Sequence, residues 1–224
     1  MKKTNYFSGL VVIAILTFTT LVNHCNGQAS SIQTIKIGKA TWMSENLNVD
    51  KFRNGDPIPV VTNEIAWKFA NKKQKPVCCY YNYDPVNGKK FGKLYNWYAV
   101  NDPRGLAPEG WHVPSDAEWS ACVNNFDPGA NGGQNQNEAG KKLKSNNGWN
   151  KNGNGTNESG FNAMPGGACI EGGFQEIGEY GTWWSSTEVD NETAWSWKMD
   201  MYSNNIERTN LDKWFGYSVR CIKN

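Results

Sequence analysis

The chain has 224 residues, enough for one well-buried domain or two small ones. Its formal net charge is +2, and without Lys2 and Lys3 the 23 basic residues fall to 21, equal to the 21 acidic ones. A chain that neutral argues against nucleic acid as a partner and against a membrane-surface role resting on charge.

The first stretch is predicted to be a signal peptide over residues 1–29. Lys2 and Lys3 form its positive start, Leu10 to Leu16 its apolar centre, and the polar run Asn23 to Ser30 holds small residues that suit a signal peptidase. The apolar run is too short to read as a membrane span, and no second one follows. Cys25 opens an alternative, lipid attachment, although Val22-Asn23-His24 before it are a poor match to a lipoprotein signal.

Thr34 to Ile37 alternates like a strand, Gly38-Lys39 turns, and Ala40 to Met43 is the hairpin return. Thr62 is expected to cap a short helix in which Ile65, Ala66 and Phe69 share a face. Val77 to Tyr81 has strand composition, and Asp84-Pro85-Val86-Asn87-Gly88 is turn chemistry. Leu94 to Val100 is the next apolar segment and ends in a loop, Asn101 to Gly105. Gly110 to Phe126 carries the clearest local signal. Ser115 and Glu118 are spaced as a capping box, Trp119, Cys122, Val123 and Phe126 recur on one helical face, and Asp127-Pro128-Gly129 stops the helix.

From Gly129 to Gly160 the composition shifts to Gly, Asn and Lys. A partly ordered excursion is expected there, with Asn135 and Glu138 capping a short helix that carries Ala139 and Leu143. Trp183 to Thr187 has strand propensity. From Ala194 to Met201 the alternation is strict, with Trp195, Trp197, Met199 and Met201 on one face. Ile206 to Thr209 follows a turn, and Tyr217, Val219 and Cys221 alternate with Ser218 and Arg220. The sum is an α+β chain: short helices packed on small antiparallel sheets, with long Gly/Asn-rich loops.

Once the signal is removed, five cysteines remain, so at least one stays free. Adjacent Cys78 and Cys79 point to opposite faces if extended, so at most one is expected to face a core comfortably. Cys79 or Cys122 is expected to pair with Cys221 in a disulfide, an export compartment permitting it.

Several phrases together resemble one family. IGKATWMSENLN (Ile37–Asn48), the run from Cys79 to Trp119, AGKKLKS (Ala139–Ser145), GFNAMPGG (Gly160–Gly167), GEYGTWWSSTE (Gly178–Glu188) and GYSVRCIKN (Gly216–Asn224) resemble the Fibrobacter succinogenes major paralogous domain. The resemblance spans residues 33–224 and runs to the last residue, so no C-terminal anchor or sorting domain is expected. It implies an exported protein, secreted or outer-membrane or cell-surface associated, of a Bacteroidetes or Fibrobacteres-type bacterium. The family is in turn similar to the C-type-lectin-like fold as used by formylglycine-generating enzymes. The parallels are Trp111 to Trp119, the Trp184-Ser185-Ser186 strand and the closing Gly216 to Cys221. That likeness implies pairing of the first and last strands.

The catalytic chemistries of that fold lack their residues. A copper-binding cysteine pair near the C-terminus would need a partner for Cys221. A histidine cluster cannot be built on His112 alone, which reads as a structural histidine. Among the carboxylates Asp116, Glu118, Glu171, Glu188 and Asp200, no spacing singles out a hydrolytic pair. Asp84 to Gly88 offers oxygen ligands for a structural calcium, but turn chemistry explains it equally, and no other cofactor is expected.

The expected function is a non-catalytic binding module for polysaccharide or a surface protein. The alternatives are a structural or adhesion accessory lipoprotein of a surface complex and a glycan-active enzyme. Sugar sites pair flat aromatic faces with planar hydrogen-bonding groups. The candidate ligand-binding residues are Trp183, Trp184, Glu188, Asn191, Arg208 and Trp214. Trp183 and Trp184 point oppositely, so one of them is the preferred platform.

Overall fold

The computed structural model describes Met1 and residues 32–224. The expected signal peptide, apart from Met1, and Cys25 lie outside the described residues. In chain order the elements are β1 (Thr34–Ile37), β2 (Ala40–Met43), α1 (Glu64–Lys72), β3 (Cys78–Cys79), α2 (Gly88–Phe91), β4 (Leu94–Tyr95), α3 (Trp97–Val100), β5 (Trp111–His112), α4 (Asp116–Phe126), α5 (Ala139–Leu143), β6 (Gly166–Ile170), β7 (Gly173–Ile177), β8 (Tyr180–Glu188), β9 (Thr193–Asp200), β10 (Glu207–Asp212) and β11 (Ile222–Lys223).

Short helices thus accompany small antiparallel sheets, in the orders β1-β2-β11-β5, β10-β9-β8, β3-β4 and β6-β7. The last strand does not pair with the first: β11 joins β2, the second strand of the opening hairpin, with Ile222 opposite Trp42, and β1 stays on the outer edge of β2. Just before β11, Gly216, Tyr217 and Ser218 bridge to Cys169, Tyr95 and Trp183, so one closing segment ties three other strands together. It is covered from both sides: Ser218 and Arg220 are as buried as Tyr217, Val219 and Cys221.

The capping box at the start of α4 forms as its sequence requires. Ser115 Oγ accepts from Glu118 N, while Glu118 Oε2 accepts from Ser115 N and Oγ at 2.8 Å each. The other oxygen of Glu118 meets His112 Nε2 at 2.8 Å, and His112 Nδ1 lies 2.7 Å from Asn224 Oδ1. This is the structural role expected of the histidine. Partial burial pushes the Glu118 carboxyl up, but the hydrogen bonds from Ser115 and His112 outweigh it, so its pKa lies below the ordinary 4.5.

A carboxyl held low in the folded state stabilises the fold above its ordinary pKa, and that contribution is lost as the pH falls through the folded value. Glu118→Gln is therefore expected to be less stable than the parent at pH 7. The gap in Tm should close as both are titrated below about pH 4. Ser115→Ala should cost about 1 kcal/mol at neutral pH by urea unfolding.

From α4, Trp119 enters an aromatic cluster. Its ring centroid lies 4.9 Å from Trp42, 5.7 Å from Phe161, 6.4 Å from Trp183 and 6.0 Å from Trp197, the last stacked. The Gly/Asn-rich excursion packs down onto this side. Ala139 and Leu143 are fully buried, and a Cβ on Gly140 would sit 2.2 Å from the Asn205 carbonyl oxygen, so only glycine permits that approach.

Three expectations fail on packing. Asn63 caps α1 instead of Thr62, accepting from Ala66 N at 2.9 Å, and the helix buries Trp67 and Ala70 while leaving Ile65 and Phe69 exposed. Cys78 and Cys79 do point to opposite faces, but both are fully buried, because β3 lies between two separate hydrophobic clusters.

The expected disulfide is not formed. All five cysteines among the described residues are buried free thiols, and Cys79, Cys122 and Cys221 sit in three different clusters. The neighbour that Cys79 does meet is Cys169. Burial pushes the Cys78 and Cys221 thiols up to about 12, so neither is a reactive thiolate at neutral pH.

Candidate functional site

The tryptophan pair expected to offer a platform belongs to the core. Trp183 and Trp184 do point to opposite faces of β8, but that strand is covered on both. Trp183 joins the Trp119 cluster and donates its indole N–H to Asn46 Oδ1 at 2.8 Å. Trp184 packs on Tyr217 and donates to the Tyr95 carbonyl at 2.9 Å. Both rings are fully buried, so neither can stack on a ligand.

β9 is likewise covered on two sides. Ala194 and Ser196 are buried along with Trp197, Met199 and Met201, and only Trp195 on that strand's aromatic face is half-exposed.

The remaining expected residues do not converge. Arg208, from β10, lies over the Trp195 ring at 3.4 Å and holds both Asp116 oxygens, with Nη2 to Oδ2 at 2.7 Å. It thereby ties β10 to the first turn of α4, and the bidentate pair occupies its fork. Glu188 receives Lys213 Nζ at 3.0 Å, and Asn191 is exposed in the turn between β8 and β9.

Trp214 faces a cleft. The cavity, of about 390 Å³, is walled by Trp67, Lys68, Asn71 and Lys72 of α1, by Glu171 and by Trp214. Asn71 fixes the Trp214 backbone by donating to its carbonyl at 3.0 Å, and Phe215 packs edge-on against the ring, its centroid 4.4 Å away. Trp67 is fully buried, and its indole N–H has no acceptor among the described residues. A half-exposed indole, a carboxylate, an amide and two ammonium groups therefore border one open space. Sequence reasoning listed Trp214 but not the α1 residues, which meet it only through the fold.

A second cleft, of about 460 Å³, is polar. It is bordered by Glu45 and Asn46 after β2, by Lys89 and Lys90 of α2, by Asn147 of the Gly/Asn-rich excursion and Asn162 just after it, and by Arg220.

Among the described residues no group of three or more His, Cys, Asp or Glu side chains is placed to hold a metal. The residues weighed for calcium serve the turn itself: Asp84 Oδ1 accepts from Val86 N at 3.0 Å, and Asn87 Nδ2 donates to the Tyr81 carbonyl. No described helix is long and apolar enough to cross a membrane.

Neither a curated protein nor a solved structure matches this chain. Residues 35–223, nearly the whole described fold, match the Fibrobacter succinogenes major domain, and the chain belongs to that family.

Proposed function

We propose that this protein is an exported, cell-surface or secreted, non-catalytic binding module of C-type-lectin-like fold, and that its ligand is a polysaccharide held in the Trp214 cleft. One observation carries the reading: Trp214 is the expected aromatic residue that borders an open cavity among planar and charged hydrogen-bonding groups. An indole presents a flat apolar face to the C–H side of a pyranose, while Asn71, Glu171, Lys68 and Lys72 stand where hydroxyl groups would project. The antiparallel joining of β2 and β11 supports the lectin-like fold. The composition without Lys2 and Lys3, neutral overall, suits an uncharged or weakly charged glycan.

Trp214→Ala is expected to weaken binding of the best oligosaccharide from a glycan array by about 30-fold, the size of an aromatic hot spot. The same variant should leave Tm nearly unchanged, because the ring is half-exposed. Equal affinities of parent and variant would remove the cleft from consideration.

A second reading, an accessory component of a surface complex, is favoured by one feature. Ile65 and Phe69, one turn apart on α1, are 81% and 66% exposed.

A further inference from the structure

Arg220 is a deeply buried charge with no ion-pair partner among the described residues. It is 1% exposed, and its guanidinium lies over the Phe161 ring at 4.1 Å. Nε and Nη2 donate to Asn46 Oδ1 at 3.2 and 2.7 Å, and Nη1 donates to the carbonyls of Met43 and Phe161. Every partner is neutral. Of the five N–H groups of a guanidinium, the second on Nη2 has no acceptor among the described residues. Burial pushes the pKa down to about 9, which still leaves the group charged at neutral pH.

A buried cation without a carboxylate is costly to fold around and is usually paired. Here it borders the polar cleft of about 460 Å³. The other charged groups that border that cleft are Lys89 and Lys90, both exposed, and Glu45, so cations outnumber anions. The rest of the wall includes the amides Asn147 and Asn162, which suit hydroxyl groups, and a single large apolar side chain, Met164.

We propose that this cleft binds a carboxylate-bearing sugar, a hexuronate unit of an acidic polysaccharide. The carboxylate sits against Arg220 with Lys89 and Lys90 at the rim, and the ring hydroxyls face the amides. The cavity volume falls in the range of small-molecule sites. A planar carboxylate completes the guanidinium fork and supplies the missing charge in one step. The site stands apart from the Trp214 cleft and shares no lining residue with it.

The test is titration calorimetry of the folded protein with hexuronate oligosaccharides, with neutral oligosaccharides of the same linkage, and with sodium sulfate. The hexuronate series is expected to bind saturably and at least 10-fold more tightly than the neutral series, with sulfate weaker than the hexuronate series. Lys89→Gln/Lys90→Gln, changing exposed residues only, should weaken the acidic ligand about 10-fold and flatten its salt dependence. Asn46→Asp places a carboxylate on Arg220 and should abolish the acidic-sugar affinity. Trp214→Ala should leave it intact, so failure here is separable from failure at the aromatic cleft. Equal binding of neutral and acidic sugars overturns the proposal. So does sulfate binding as tight as the hexuronate, or an affinity that the double lysine variant does not change.

Discussion

Trp119→Ala is expected to cost about 3–5 kcal/mol of folding stability, with a fall in Tm on the order of 10 °C. The size follows from what the ring touches. Trp119 is fully buried, and Trp42 of β2, Phe161 just after the Gly/Asn-rich excursion, Trp183 of β8 and Trp197 of β9 all lie around it. These neighbours come from separate regions of the chain, so they cannot collapse together onto the space left by an alanine, and the cavity stays open. Trp119→Phe keeps most of the volume and should lose less than half as much. Its indole N–H has no acceptor among the described residues, so removing it leaves nothing newly unpaired. The measurement is urea unfolding followed by far-UV circular dichroism, since removing a tryptophan alters the fluorescence signal itself. A loss below about 1 kcal/mol would mean that α4 does not hold the hairpin and the β8–β9 sheet together at this ring.

The contrast with Trp214 shows what sequence could and could not supply. Local rules were enough for α4, because Ser115 and Glu118 act within a single turn, and for the β1–β2 hairpin, whose Gly38-Lys39 turn sits between two alternating runs. They were enough for β8 to β10 as strands. They failed wherever burial on a second face decided the outcome. Alternation along β9 predicts a wet side, but the strand is covered twice. The pair Trp183-Trp184 predicts one exposed ring for the same reason, and β8 has no exposed face at those positions. In α1 the buried residues are Trp67 and Ala70, while the apolar pair Ile65 and Phe69 faces out, a choice that periodicity alone cannot make. The β6–β7 hairpin escaped notice because its glycines at 166, 167, 172 and 173 read as turn rather than strand. The polar cleft escaped entirely, since its residues come from segments far apart in sequence and meet only through the fold.

Asn46 is the residue of that cleft whose loss should be felt most. The local sequence Ser44-Glu45-Asn46-Leu47 marks only a chain leaving its strand. In the structure one oxygen, Asn46 Oδ1, accepts from Arg220 Nε and Nη2 and from the Trp183 indole N–H, and Nδ2 donates to the Phe91 carbonyl at 2.9 Å and to Ser218 Oγ at 3.2 Å. Asn46→Leu is close in size but removes every one of these bonds. It leaves two N–H groups of a buried guanidinium and an indole N–H without their acceptor, and is expected to cost at least about 3 kcal/mol. Asn46→Asp keeps acceptor oxygens for all three donors and adds a counter-charge for Arg220. It forfeits the amide donor to Phe91 and Ser218 and should cost about 1–2 kcal/mol, less than Asn46→Leu. A cycle with Arg220→Met separates the hub from simple loss of packing. If Asn46 matters chiefly because it satisfies a buried charge, removing that charge should make Asn46→Leu less damaging, with a coupling on the order of 1–3 kcal/mol. Additive losses in urea unfolding would place the effect of Asn46 in the Trp183 and Phe91 bonds instead, and would leave Arg220 held by the Met43 and Phe161 carbonyls alone.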